Sequence, residues 1–253
     1  MSSRVAPFSL RRRAYDRIRD MLSHGQFPPG SRVSTLDLSK QLGISRTPVR
    51  EALSQLSSQG LIQEVPGFGM YVQIPERQEL EELYGMREIL ETYAAARAAE
   101  SITPAEIAQM EVCCDELRAL AAHLRTQPSG HLDEKSMSRW LKIDERFHAI
   151  LLGAARNRLL LKTAKDMRLL SRTLDVRRFE PTHLTLSGAA QTYRQHATLV
   201  RALRRHDAAL AEFWIRRQLR IGRERHLADI DVFAVHARDV SFGSAAGAEP
   251  PLA

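Results

Sequence analysis

Over the first 75 residues the apolar positions are spaced first for helices and then for strands. The segment "YDRIRDMLSHGQFPPGSRV" starts as an amphipathic helix that is expected to stop at Gly25, after which Pro28-Pro29-Gly30 makes a turn. "TLDLSKQLGI" reads as a short helix closed by Gly43, a residue suited to the left-handed backbone after a helix end. "SRTPVREALSQLSSQG" reads as a third helix, ending at Gly60. "LIQEVPGFGMYVQI" then alternates on either side of Pro66-Gly67-Phe68-Gly69, as two short strands joined by a turn do. Three small helices followed by a hairpin is the order of a winged helix-turn-helix.

From about Glu76 to Asp231 the strand signal is nearly gone. "ELEELYGMREILETYAAARAAE" is one long helix, and Thr103-Pro104 caps the next, with Glu106 three residues after the cap. "QPSGHL" breaks the pattern before a third helix around Trp140 to Gly153, and Asn157 opens a fourth. "RRFEPTHLTLSG" is a connection into a fifth, and His206-Asp207 marks the turn into a sixth. The chain thus divides into a flexible arm (1–10), a winged helix-turn-helix (11–75), an all-α antiparallel bundle (76–231) and a small-residue, proline-bearing tail (232–253) expected to be disordered. The fold class is mainly α.

Composition narrows the setting. The chain has 253 residues, 43% hydrophobic and 6% aromatic, which suits two modest helical domains. No run of about 18 apolar residues is present, so no membrane span is expected. The N-terminus lacks an apolar core of signal-peptide length, so a cytoplasmic protein is expected. Its two cysteines, Cys113 and Cys114, are adjacent and point about 100° apart on a helix, a structural pair in a reducing compartment. Net charge is +7 and the pI about 9.8, which raises the expectation of an anionic partner such as nucleic acid. Arg11, Arg12 and Arg13 cluster, while the later run Arg216, Arg217, Arg220, Arg223 and Arg225 reads as a solvated helix face.

The third helix carries the nucleic-acid chemistry. Ser45 stands where a hydroxyl caps a helix, which puts Pro48 in the first turn, where no intrahelical amide is lost. Val49, Leu53 and Leu56 fall at i, i+4 and i+7 and form a stripe for the domain core. Arg46 and Arg50 share another face, in the turns that meet base edges in the major groove. Arginine donates two parallel bonds to guanine, and Ser45 and Thr47 can donate to phosphate. Gly67 and Gly69 let the wing backbone approach the sugar–phosphate edge.

These residues, with "FPPGSRV", "LSKQLGISRTPVREALSQLSSQGLI" and "GFGMYV", resemble the GntR family of bacterial transcription regulators over Ala14–Val72. The resemblance implies operator contacts from Ser45, Arg46, Thr47 and Arg50, with Gly67 at the wing tip. Several members of that family carry a DNA-touching arginine where this chain has Leu36.

The bundle has its own candidate chemistry. Trp140, Ile143, Phe147 and Ile150 form a stripe, with Asp144 and His148 four apart beside it. His196 and Gln218 lie beside apolar faces of two later helices, so the four polar side chains can converge. One carboxylate and two imidazoles suit a divalent metal. Equally, Asp144 can orient His148, with His196 a satisfied core histidine. From Glu76 to about Ala228 the chain resembles the FadR C-terminal domain (FCD), in its shorter VanR-like variant. That resemblance implies metal ligation by Asp144, His148 and His196, with zinc, nickel or manganese as the ion. Gln218 stands where a fourth histidine is expected, which leaves a three-ligand site, a weakened site and a metal-free pocket open. It also implies an effector pocket with Arg87 near a ligand carboxylate and Gln218 and Asn157 on its wall. An Arg87–Glu91 pair and capping by Asn157 are the alternatives.

Together these expectations describe a homodimeric regulator, a repressor by expectation, that binds double-stranded operator DNA and answers to a small organic acid. The alternative is a metal-dependent hydrolase or lyase using Asp144, His148 and His196; a sequence-indifferent DNA-packaging protein is a third reading. Neither of the last two accounts for both the Ser45–Arg50 helix and the helical bundle.

Overall fold

The computed structural model describes residues 7–23, 25–176 and 184–243, with side chains described for 10–23, 25–176 and 184–233. The N-terminal part contains α1 (Pro7–Ser23), β1 (Arg32–Val33), α2 (Thr35–Leu42), α3 (Arg46–Ser57), β2 (Ile62–Val65) and β3 (Gly69–Val72). The strands form an antiparallel sheet in the order β1-β3-β2, with Ile62 opposite Val72 and Arg32 opposite Tyr71. β1 was not expected: two residues are too few to leave an alternating pattern. The Ser34 hydroxyl accepts from the Asp37 amide to start α2, and Gly43, at φ 64°, closes it. Val49, Leu53 and Leu56 of α3 are fully buried against Ile18 and Leu22 of α1 and the inner face of the hairpin. Each contributes about 1.5–3 kcal/mol by leaving water, so this stripe sets which face of α3 stays outside.

The C-terminal part has helices and no strand among its described residues: α4 (Arg77–Ser101), α5 (Pro104–Thr126), α6 (Glu134–Ala154), α7 (Arg158–Thr173), α8 (Leu186–Arg204) and α9 (Ala208–Gly243). Local chemistry starts them. The Glu76 amide donates to Glu79 at the head of α4, and Thr103 and Glu106 form the capping box of α5. Asp133, Thr185 and Asp207 accept first-turn amides of α6, α8 and α9. α4 packs along α9, and α5 lies between α6 and α8. Trp140, Ile143 and Phe147 are buried in the common core, while Ile150 is half-buried.

α9 runs on to Gly243, past the boundary at 232 expected for a tail. A helix already anchored by its packed half continues through a weak sequence at little nucleation cost. The remainder of that expected tail, 244–253, lies outside the described residues, as do residues 1–6 of the arm, while residues 7–10 belong to α1. No helix among the described residues is long and apolar enough to cross a membrane.

Candidate functional site

Two surfaces concentrate polar chemistry. The first is the exposed side of α3. Ser45 takes the extended backbone of a cap (φ −67°, ψ 162°), but its hydroxyl makes no capping bond. The expectation that it caps is therefore corrected. Pro48 at the third helical position removes one amide of the first turn, and the exposed Ser45 hydroxyl is left available to another partner. Arg46, Thr47 and Arg50 are exposed, and no acidic residue lies in the first turn of α3. Beside them the wing turns at Gly67 (φ 79°) and Gly69 (φ 114°), conformations natural to glycine, and Phe68 at its tip is 55% exposed. Leu36, on the adjoining α2, is 47% exposed and adds an apolar spot where a cation is common in the family it resembles. Sequence reasoning missed Arg32. A side chain at Gly69 would touch its guanidinium at 3.5 Å, so Arg32 adds a cation against the wing. The unrecognised strand β1 is what holds it there.

The second is a cavity of about 220 Å3 in the bundle, lined from α4, α6, α7, α8 and α9. His196 Nε2 lies 3.1 Å and His148 Nε2 3.7 Å from the same oxygen, Asp144 Oδ1. The donor atoms of these three residues all fall within 4.8 Å of one another. Both imidazoles are buried, while the Asp144 side chain is 24% exposed. The outer nitrogens, Nδ1 of each histidine, are buried and unpartnered, so neither ring has the second-shell acceptor that usually orients a ligating imidazole. Gln218 lines the cavity, and its Nε2 is likewise buried and unpartnered. His226 faces away from this cluster: it bridges Tyr84 Oη and Asp175 Oδ2, each at 3.1 Å.

A buried ion network supports the cluster. Glu91 accepts from Arg87 Nε at 2.8 Å and is held by Arg168 Nη1 at 2.7 Å. Arg168 also reaches Asp144 Oδ2 at 3.4 Å, and Arg87 Nη1 donates to Ser171 Oγ at 2.8 Å. Burial alone would raise the Glu91 carboxyl, but Arg168 and Arg87 outweigh it and hold it at about 2. Burial opposes the Asp144 charge too, yet His148, His196 and Arg168 keep that carboxyl well below the usual carboxylate range. His148 moves the other way: burial and then Arg168 press it well below the ordinary 6.5, so the ring is neutral, as metal ligation requires.

The structure thus gathers Asp144, His148, His196, Gln218 and Arg87 around one cavity. Arg87 faces the cavity and pairs with Glu91 at once, so the two alternatives hold together. Asn157 is not among the lining residues: exposed at the head of α7, it caps that helix through its side-chain oxygen and the Leu160 amide (3.0 Å). Its assignment to the pocket is corrected, because a cap must face its own helix end. Arg225, read as part of a solvated run, is exposed as that reading expects, and it also lines the cavity. Gln218, Gly222 and Arg225 share one face of α9 at i, i+4 and i+7, a periodicity hidden by the surrounding arginines.

A winged helix-turn-helix joined to a helical bundle with a polar cavity defines a class, the one-chain transcription regulators that read DNA at one end and a small molecule at the other. Residues 10–72 match the family model described as bacterial regulatory proteins of the gntR family, and residues 82–220 match that of the FCD domain. The chain belongs to the GntR family of DNA-binding transcription regulators and carries an FCD domain.

It is similar to the Nta operon transcriptional regulator of Aminobacter aminovorans, with 36% identity over 56% of this chain and 61% of that relative, less than two thirds of its length. It is similar also to the HTH-type transcriptional repressor RspR of Escherichia coli, with 28% identity over 78% of this chain and 80% of RspR. Among solved structures, E. coli McbR/YncC shares the fold, with a TM-score of 0.71 and 22% identity over 89% of this chain and 98% of that one. These relatives are regulators, and the hydrolase or lyase alternative finds no support.

Proposed function

We propose that the protein is a cytoplasmic homodimer that represses transcription from a pseudo-palindromic operator and leaves it when a small organic acid enters the bundle cavity. The observation that carries this reading is the placement of two consecutive residues of α7. Arg168 reaches into the cavity to Glu91 and Asp144, while Leu169 is buried in the core of the winged domain. A ligand that draws on the Arg168 network therefore acts on the helix that seats the DNA reader. Release from the operator requires that the acid bind the DNA-incompetent arrangement more tightly than the competent one. Ser45, Arg46, Thr47, Arg50 and the Gly67 wing tip meet DNA, and two-fold symmetry of the dimer imposes the operator's symmetry. The test is fluorescence anisotropy on DNA upstream of the protein's own gene. Saturable binding that random DNA competes poorly is expected, and equal affinity for random DNA at moderate salt overturns it.

The cavity also suits a divalent ion such as zinc, nickel or manganese, held by Asp144, His148 and His196. An ion there would displace the proton between His196 and Asp144 and add positive charge that favours an anionic effector. An amide is a poorer zinc partner than imidazole, so Gln218→His is expected to tighten zinc binding in calorimetry. Unchanged affinity in that variant would mean that the side chains do not act as one site.

A further inference from the structure

The kind of acid follows from the charge and polarity of the cavity wall, an argument that rests on the cavity being the effector site. Three guanidinium groups line it, those of Arg87, Arg168 and Arg225, with two carboxylates, those of Glu91 and Asp144. Glu91 is held between Arg87 and Arg168, and Asp144 by Arg168 and His196. Arg225, exposed to solvent while it lines the cavity, makes no ion pair or hydrogen bond among the described residues. The wall thus carries one cation more than it has anions, and Arg225 is the one without a carboxylate. A ligand carboxylate brought to Arg87 would also come close to Glu91 and meet like charge. At Arg225 it meets an unshared guanidinium able to hold it through two parallel bonds.

The remaining wall is mostly neutral and hydrogen-bonding. Gln191 and Gln195 stand at i and i+4 on α8, with Thr192 beside them, and Gln218 faces the cavity from α9. Amides both donate and accept, as hydroxyl groups do. The buried, unpartnered Gln218 Nε2 is a donor that a ligand oxygen would satisfy. Tyr84 Oη is held by the His226–Asp175 pair, and a Cβ at Gly222 would lie 3.2 Å from that oxygen, so glycine keeps this end open. Ile215, Leu219 and Ile221 supply the apolar contact. The cavity of about 220 Å3 has room for a small acid. We propose that Arg225 anchors the carboxylate of the effector, and that the effector is a small acid rich in hydroxyl groups.

Three probes of one shape separate charge from hydroxyls: quinate, cyclohexanecarboxylate and myo-inositol. They are titrated calorimetrically into the full-length protein treated with chelator. Quinate is expected to bind at least about ten-fold more tightly than either of the others, and Arg225→Gln to weaken it by about ten-fold or more. Arg225→Lys should recover part of the affinity, and Arg220→Gln, on the outer face of α9, should change nothing. Equal affinity for quinate and cyclohexanecarboxylate, unchanged binding in Arg225→Gln, or no heat with any probe overturns the proposal. DNA binding by the same preparation keeps the two readings apart. If operator binding persists without quinate binding, the acid assignment fails and the regulator stands; if operator binding is absent, the regulator reading fails.

Discussion

Arg46 and Arg50 stand on the open side of α3 with a core stripe behind them. Replacing either with alanine is expected to cost about 1–3 kcal/mol of operator affinity, measured by anisotropy, with the melting temperature unchanged. Glu91 is the opposite kind of residue: it is fully buried between two guanidiniums. Glu91→Gln should lower stability by about 3 kcal/mol or more, because two buried cations lose their carboxylate. The pH dependence follows from the sign of its shift. The folded carboxyl lies at about 2, below its ordinary 4.5, so its contribution is complete above about pH 4.5 and fades as pH falls toward 2. Denaturation of wild type and Glu91→Gln should therefore converge toward that lower limit. Cys114 offers a third check. Burial, then Cys113 and Asp115, push its thiol up to about 12, so thiol reagents at pH 8 should leave it unmodified in the folded protein and label it on unfolding.

At the scale of elements, what could be read in the chain was local. Gly43 ends α2, and Thr103 with Glu106 starts α5, because caps are contained in a few neighbouring residues. What could not be read was set from a distance. β1 exists because β3 passes beside it, and α9 outruns its pattern because half of it is packed on α4. The cavity was legible as far as its helical spacing showed, in Asp144 and His148 at i, i+4. Arg225 was hidden because a run of exposed arginines has no apolar contrast to reveal which one borders the cavity. Asn157 was ambiguous because the same side chain serves a cap or a pocket equally well. α7 is the element to test. Leu169→Ala should cost about 2–5 kcal/mol in the winged domain, visible as a lowered first transition on heating. It should also shrink the effect of any bound acid on DNA affinity.

For the whole molecule, the GntR assignment predicts assembly. Sedimentation should give a dimer near twice 28.6 kDa, and the operator should lose affinity steeply as salt rises, since phosphate contacts release counterions. The adjoining placement of Arg168 and Leu169 has a further consequence for exchange of parts. A gene fusion that joins this bundle to a foreign winged domain would carry Leu169 into a surface with no socket for it. Working hybrids should then come only from donors whose reader offers a matching hollow, so the two halves are inherited together more often than a simple linker between them would suggest.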